Sequence, residues 1–425
     1  MTVVDELDLP AFDYTDSSLR GGRFHAAMAE LRTHGWLAKG PFGYMVLDRQ
    51  AGEFFLRSRA ATFPGMKIAE IFGVSDGPLY EQMRRNILHV NGPDHSRLRS
   101  LVNPALSPRA VERYRPAMRE FLRALLADAV AASPGDEGLV RCEFVETFAK
   151  PFPSQVIATV MGAPIADAPR LHHWSGWIQR QFDAVSMASE MDRIEGAVEE
   201  FYAYAEQLLE DRRRRPGEDL ISSLIEAEEA GERLSDVECI NLVFNVLAGG
   251  VDTTQSQLAH TVRLLAEHPA QWRMLVDDPS LARAAVEESL RFEPITPFTA
   301  RITTEEVEFR DVTFPEGTVV MVCAFTGNRD AVEDGEGEAD PTAAREAWDA
   351  AEVFDISAER DRGRPLTFGA GIHYCVGANL ARLELEEALT FLAENVRAID
   401  LDGEPRFEGI TGIYGLAELP VALTV

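Results

Sequence analysis

The chain has 425 residues, 46% of them hydrophobic, enough for a large buried core, and a formal net charge of −29 from 41 basic and 70 acidic side chains. So acidic a chain repels nucleic acid and anionic membrane unless a basic patch is set apart, which makes nucleic-acid binding a poor fit. The four cysteines, Cys142, Cys239, Cys323 and Cys375, are scattered with no CxxC pair, which argues against a disulfide framework or a cysteine-built zinc site.

Met1–Pro10 carries acids and no apolar run, so it does not read as a signal peptide. No stretch reaches the ~18 apolar residues of a membrane span, and the chain reads as cytoplasmic, without a membrane anchor. Most of the sequence has helical spacing. Ala110–Ala132 and Ile194–Leu209 keep apolar residues at that period, the second ending at the Arg212–Arg215 cluster and Pro216. Ser235-Asp-Val-Glu238 has the form of a capping box, and no proline follows before Pro269. A helix of that length spans ~45 Å at ~1.5 Å per residue. Its centre, Cys239–Val251, is apolar nearly all round and so should be buried.

Val307–Phe314 and Thr318–Phe325 are rich in Val, Phe and Thr, and Pro315-Glu-Gly317 separates them, so the spacing predicts a hairpin. Ala331–Pro341 holds five acids and reads as a solvated loop. Tyr414–Val425 contains short alternating apolar pieces. With no internal repeat, the expectation is a mainly α protein with a small β portion, a single domain over 1–425. The β-rich parts fall near the N-terminus and at about 303–325 and 405–425.

The most informative segment is Phe368-Gly-Ala-Gly-Ile-His-Tyr-Cys-Val-Gly-Ala-Asn-Leu-Ala-Arg382. Gly369, Gly371 and Gly377 allow tight backbone and close approach to a flat ligand. The pattern turns helical from about Val376, which puts Cys375 at a helix N-terminus, where the dipole and free N–H groups favour thiolate. Such a thiolate is a good axial ligand for haem iron. A lone cysteine beside a glycine-rich turn would be a structural residue; the intact FGxGxHxCxGxxLAR pattern resembles the cysteine loop of the cytochrome P450 superfamily.

Three further segments resemble that family in the right order. Gly249-Gly-Val-Asp-Thr-Thr254, within the long helix, is similar to the oxygen-activation motif, which implies that Asp252 and Thr253 deliver protons. Thr253 could also bond a carbonyl one turn back. Glu288 and Arg291 fit the ExxR motif and share one helix face over Ala284–Arg291. The resemblance implies a structural ion pair bracing the cysteine loop, with a third arginine, Arg360 or Arg362, between which spacing does not decide. His95, in His95-Ser-Arg-Leu-Arg99, with Arg99 and Arg301 resemble the residues that bind the haem propionates. With Phe368, Gly369, His373, Cys375 and Gly377 they make up the implied cofactor site.

Two departures stand out. Pro365 occupies a position where the family often has a propionate-binding histidine, with Arg364 beside it. Residues 331–351 also form an apparent insertion after Asn328-Arg-Asp330.

The resemblance implies the P450 fold, with haem b (iron protoporphyrin IX) between the long central helix and the cysteine-loop helix. It implies a monooxygenase that hydroxylates a small-to-medium apolar substrate with O2 and two electrons. No reductase module is evident, so a separate donor is expected, a ferredoxin-type protein with its reductase. Arg97, Arg109, Arg113, Arg115 and Arg119 offer a docking patch or merely a solvated face. A peroxygenase using hydrogen peroxide, or a non-catalytic haem binder, are the alternatives; the first more often lacks an acid–alcohol pair and the second has no need of one. Asn245 and Ala248, with Ile295, Thr296, Phe298 and Ile413, are the implied substrate contacts. The Asn245 carboxamide could serve a substrate or backbone groups equally. Met66, Ile68, Ile71, Phe72, Trp174 and Phe182 suggest an apolar cavity.

Overall fold

The computed structural model describes residues 1–133, 138–229, 234–330, 350–359, 363–410 and 412–425. The acidic stretch 331–349 and both candidate third arginines, Arg360 and Arg362, lie outside the described residues. The chain divides into two compact units.

The first unit comprises Met1–Pro64, Ala284–Cys375 and Phe407–Gly415. Its main sheet joins Leu37–Gly40, Gly43–Val46, Val319–Cys323, Phe298–Thr303 and Ala61–Thr62 in that spatial order. The predicted hairpin is corrected here. Val312–Phe314 pairs antiparallel with Val307–Phe309, whereas Val319–Cys323 pairs with Phe298–Thr303. The tight turn is therefore at Arg310, whose φ of 52° makes it the one non-glycine left-handed residue described. Pro315–Gly317 instead carries the chain from one sheet to the next. Thr303 Oγ1 secures that crossover by donating to Pro315 O at 2.6 Å and accepting from Thr318 N at 2.9 Å. Aromatic side chains fill the core: Phe24 packs on Phe325 and Phe298 at ring separations of 5.0 and 6.3 Å, and Phe55 on Phe314 at 5.0 Å. Each fully buried ring contributes on the order of 2–3 kcal/mol of transfer free energy.

The second unit comprises Gly65–Arg283, Val376–Arg406 and Leu416–Val425, and is mostly helical. The predicted helices appear at Arg115–Ala131 and Met191–Arg214. The first is preceded by a short turn at Pro108–Val111, because Pro116 at its N-terminus cannot sit inside a longer helix. The last strand, Pro420–Thr424, lies between Ala398–Leu401 and Leu139–Glu143. Among the described residues no helix is long and apolar enough to cross a membrane.

The expected long helix starts at its capping box, where the Ser235 and Glu238 side chains exchange hydrogen bonds with each other's backbone N–H. It is not continuous, however. Asp236–Gly250 ends at Val251 (φ −92°, ψ −71°) and a second helix runs from Asp252 to Glu267. Next to the break the helix runs close to Pro151–Met161: a Cβ on Gly250 would stand 2.4 Å from Ile157 Cδ1, so a larger residue there would have to push that side chain aside.

On the Ala378–Asn395 helix, Glu384 is fully buried and both its carboxyl oxygens lack a hydrogen-bond partner. Burial holds its pKa well above the ordinary carboxylate range. A folded-state pKa above the unfolded value means that the stabilisation is complete below the unfolded pKa and is lost as pH rises. Glu384→Gln should therefore flatten the decline in thermal stability between about pH 4 and pH 7. Parallel declines in the melting curves of the two proteins over that range would contradict it.

Candidate functional site

The C-terminal end of the Ala282–Phe292 helix organises the first unit. Arg291 Nε and Nη2 donate to Glu288 Oε2 and Oε1 at 2.7 and 2.8 Å, a bidentate pair with both side chains 6% exposed. The other donors of Arg291 reach Ala351 O at 2.8 Å and Val353 O at 3.2 Å, and Asp355 N–H donates to Glu288 Oε1 at 2.9 Å. The ExxR pair thus holds the segment that leads toward the cysteine loop. The orphan carbonyls at the helix end are capped as well. Thr367 Oγ1 donates to Leu290 O (2.6 Å) and Arg329 Nη2 to Phe292 O (3.0 Å).

Arg329 and Asn328 went unremarked as site residues in the sequence. Arg329 is fully buried, stacks on the Phe325 ring at 3.7 Å and pairs with Glu352 at 2.8 Å. Burial pulls its pKa down to about 10. Asn328 Oδ1 accepts from Leu366 N–H at 2.6 Å and its Nδ2 donates to Thr367 Oγ1 at 3.1 Å, so it grips the start of the cysteine loop directly. The only signal in the sequence was their place in Asn328-Arg-Asp330.

In the loop, short turns at Leu366–Phe368 and Gly371–His373 lead to Cys375, whose N–H donates to Phe368 O at 3.0 Å. Gly369 and Gly371 take φ values of +68° and +71°. A Cβ on Gly371 would lie 2.5 Å from Leu56 O, a backbone atom that cannot yield, so this turn requires glycine. Gly377 caps the Ala378–Asn395 helix, which starts three residues after the cysteine. Phe368 and Cys375 are partly exposed. Burial raises the other thiols, Cys142 to about 11, Cys239 to about 12 and Cys323 also upward, so they stay protonated and are poor metal ligands.

The residues fit a haem. Arg301 is 3% exposed, and among the described residues its guanidinium makes one hydrogen bond, to Ala300 O at 2.8 Å. Burial lowers its pKa to about 10. A buried guanidinium without a carboxylate is costly, and the cost is relieved by an anion such as a porphyrin propionate. In the second unit, His95 is buried on the Gly92–Val102 helix and its pKa is lowered, first by burial and then by Arg99. Arg364 is exposed, and its carbonyl accepts from Arg49 Nη2 at 2.8 Å.

At the helix break, Thr253 Oγ1 donates to Gly249 O at 2.5 Å, the one-turn-back bond expected of it. Asp252 accepts from Ser175 Oγ at 3.0 Å, and a Cβ on Gly249 would meet nothing within 4 Å. Asn245 Nδ2 donates to Asn241 O at 2.6 Å, so the amide nitrogen serves the backbone, and Ala248 is buried. Ile295 is buried, while Thr296 and Ile413 are partly exposed. Phe298 stacks on Tyr14 at 5.0 Å and so belongs to the aromatic core. Trp174 likewise packs on Phe201 and Tyr204, with its indole N–H bonded to Glu200. Ile71 is exposed. The arginine patch is largely neutralised: Arg97 pairs with Glu238, Arg115 with Glu112, Glu386 and Glu387, and Arg119 with Glu387.

Comparison with known proteins agrees with this geometry. The family model described as Cytochrome P450 matches residues 73–406. The chain is 30% identical to luteothin monooxygenase of Streptomyces thioluteus over 97% of this chain and 96% of that protein. It is 34% identical to mycinamicin IV hydroxylase/epoxidase of Micromonospora griseorubida over 80% of each. The crystal structure of CalO2 superposes with a TM-score of 0.85 at 31% identity, covering 98% of this chain and 99% of that one. The chain belongs to the cytochrome P450 family and has its fold, mainly helical with small sheets. It is a P450 monooxygenase of the bacterial kind, a haem-iron enzyme that uses O2.

Breaking the buried pair leaves one charge uncompensated, at a cost of about 3–5 kcal/mol. Glu288→Gln should therefore lower the denaturation midpoint strongly and reduce haem retention. A variant with unchanged midpoint and full haem content would remove the bracing role.

Proposed function

We propose that this enzyme hydroxylates a small-to-medium apolar organic molecule, with haem b ligated by Cys375 and electrons from a separate ferredoxin-type donor. The observation that carries the reading is the acid–alcohol pair at the helix break, with Thr253 Oγ1 on Gly249 O and Asp252 held by Ser175. A peroxide-driven enzyme more often lacks such a pair, and a passive haem carrier has no need of one. When bound, the haem supplies dioxygen binding and oxygen-atom transfer.

The protein's own residues do the rest. Cys375 would hold the iron through its thiolate, and Arg301, His95 and Arg99 are the groups that would pair with the propionates. Phe368, Gly369, His373 and Gly377 shape the loop around the ligand. Thr253 keeps its hydroxyl at the break, where it can pass a proton received from Asp252. Asn245, Ala248, Ile295, Thr296 and Ile413 contribute to substrate contact, Asn245 through its amide oxygen. With Arg97, Arg115 and Arg119 paired to carboxylates, donor docking at this patch rests on shape as well as charge.

Titrating the ferric enzyme with apolar ligands, including luteothin and mycinamicin IV, the compounds its relatives' names record, should shift the Soret band from low to high spin. Hydroxylated product should then form with electrons from a ferredoxin system. Spin shifts without any product would leave only a haem binder. Cys375→Ser should abolish the thiolate-type Soret band of the reduced carbon monoxide complex; retention of that band would reassign the ligand. Thr253→Ala should keep the haem and the spin shift but divert most electron flow into peroxide. Unchanged yield of product per electron would count against the relay.

A further inference from the structure

Asp252 is met by a histidine as well as by Ser175. On the Ala168–Gln179 helix, His172 and Ser175 stand one turn apart and both reach the start of the Asp252–Glu267 helix. Ser175 Oγ lies 3.0 Å from Asp252 Oδ2 and 3.4 Å from Leu247 O. His172 Nε2 lies 2.8 Å from Gln255 Oε1 and 3.9 Å from Asp252 Oδ1. One ring nitrogen thus has two acceptors, and a small rotation of the ring exchanges Gln255 for Asp252. The His172 side chain is 27% exposed and that of Asp252 15%, so the imidazole meets water more readily than the carboxylate it faces.

We propose that His172 is the proton entry to Asp252, a proposal that rests on reading Asp252 and Thr253 as the relay. Water protonates Nδ1, Nε2 releases its proton to an Asp252 oxygen, and the ring is left neutral with its proton on Nδ1. Exchange with water then restores the Nε2–H form. One proton enters per cycle and no electron moves, so no further reactant is required. Ser175, by holding Oδ2, turns Oδ1 toward the ring and acts as a positioning residue.

Other charges on the neighbouring elements are committed elsewhere. On Met191–Arg214, Glu200 bonds Trp174 Nε1, Tyr204 bonds Asp167, and Arg193 lies over Trp177. On the histidine's own helix, Arg170 lies over Trp174 and beside Asp167, and Arg180, just past its end, lies over Trp177. Asp252 and Gln255 are the groups the Asp252–Glu267 helix presents to His172.

The test uses the reconstituted holoenzyme with its substrate and donor proteins, comparing wild type, His172→Gln, Ser175→Ala and Thr253→Ala in H2O and D2O from about pH 5.5 to 8.5. Wild-type turnover should fall as pH rises through the histidine range. His172→Gln should lose that inflection, turn over about tenfold more slowly at low pH and show a larger solvent isotope effect. Its substrate-induced spin shift should stay as in wild type. Ser175→Ala should slow turnover at every pH while keeping the inflection, which separates orientation from titration. If Thr253→Ala is uncoupled but His172→Gln keeps the wild-type pH profile and isotope effect, the histidine entry is overturned and the relay stands. If Thr253→Ala remains coupled, the relay fails and the entry falls with it.

Discussion

Arg291 and Glu288 lie buried beside each other, and a charge placed there must be answered on every side. The pair alone would satisfy two guanidinium donors. The remaining donors take Ala351 O and Val353 O, and Asp355 N–H closes on the carboxylate. Desolvation makes each of these bonds obligatory, so a local ion pair becomes a constraint on a segment some sixty residues away in the chain. The same helix end also receives Thr367, Asn328 and Arg329 on its free carbonyls. Within the first unit, then, one helix terminus fixes both the approach to the cysteine loop and its first turn. Gly371 against Leu56 O fixes the next. Cys375 follows at the end of this sequence of satisfied polar groups, with its own N–H donated to Phe368 O.

In the second unit the corresponding constraint is a discontinuity. Thr253 bonds Gly249 O across the break at Val251, and the break puts Asp252 at the start of a new helix, where backbone N–H groups favour a carboxylate. Ile157 against Gly250 narrows the choice of residue there, since a side chain at that position would have to displace the Ile157 tip.

These two constraints differ in how far they could be read in advance. The capping box at Ser235, the helical periods and the glycine–cysteine loop are local patterns, and the structure places them where the sequence does. The hairpin was misjudged because Pro315 and Gly317 announce a turn without saying which strands it joins. That choice belongs to Thr303, from a different strand. Arg329 escaped notice for a similar reason, since arginine is read as a surface residue until stacking on Phe325 and Phe292 shows it buried. Phe298 packs on Tyr14 and Phe24, which are distant in the chain, a contact that its position in the sequence does not reveal. Family resemblance supplied the roles of Cys375, Asp252 and Thr253; no periodicity could have.

The partners of Asp252 show where such resemblance stops. A motif specifies the carboxylate and the alcohol but not what faces them, because the facing helix lies some eighty residues earlier and its pattern is apolar apart from a few polar positions. His172 and Ser175 read there as ordinary polar residues on an amphipathic helix. Their meaning depends on the rotation of one helix against another, which is set by Leu171, Trp174 and Ile178 in the core. Burying those three turns positions 172 and 175 to the helix start at Asp252. An apolar stripe that carries no charge thereby decides which polar groups the Asp252 carboxylate meets.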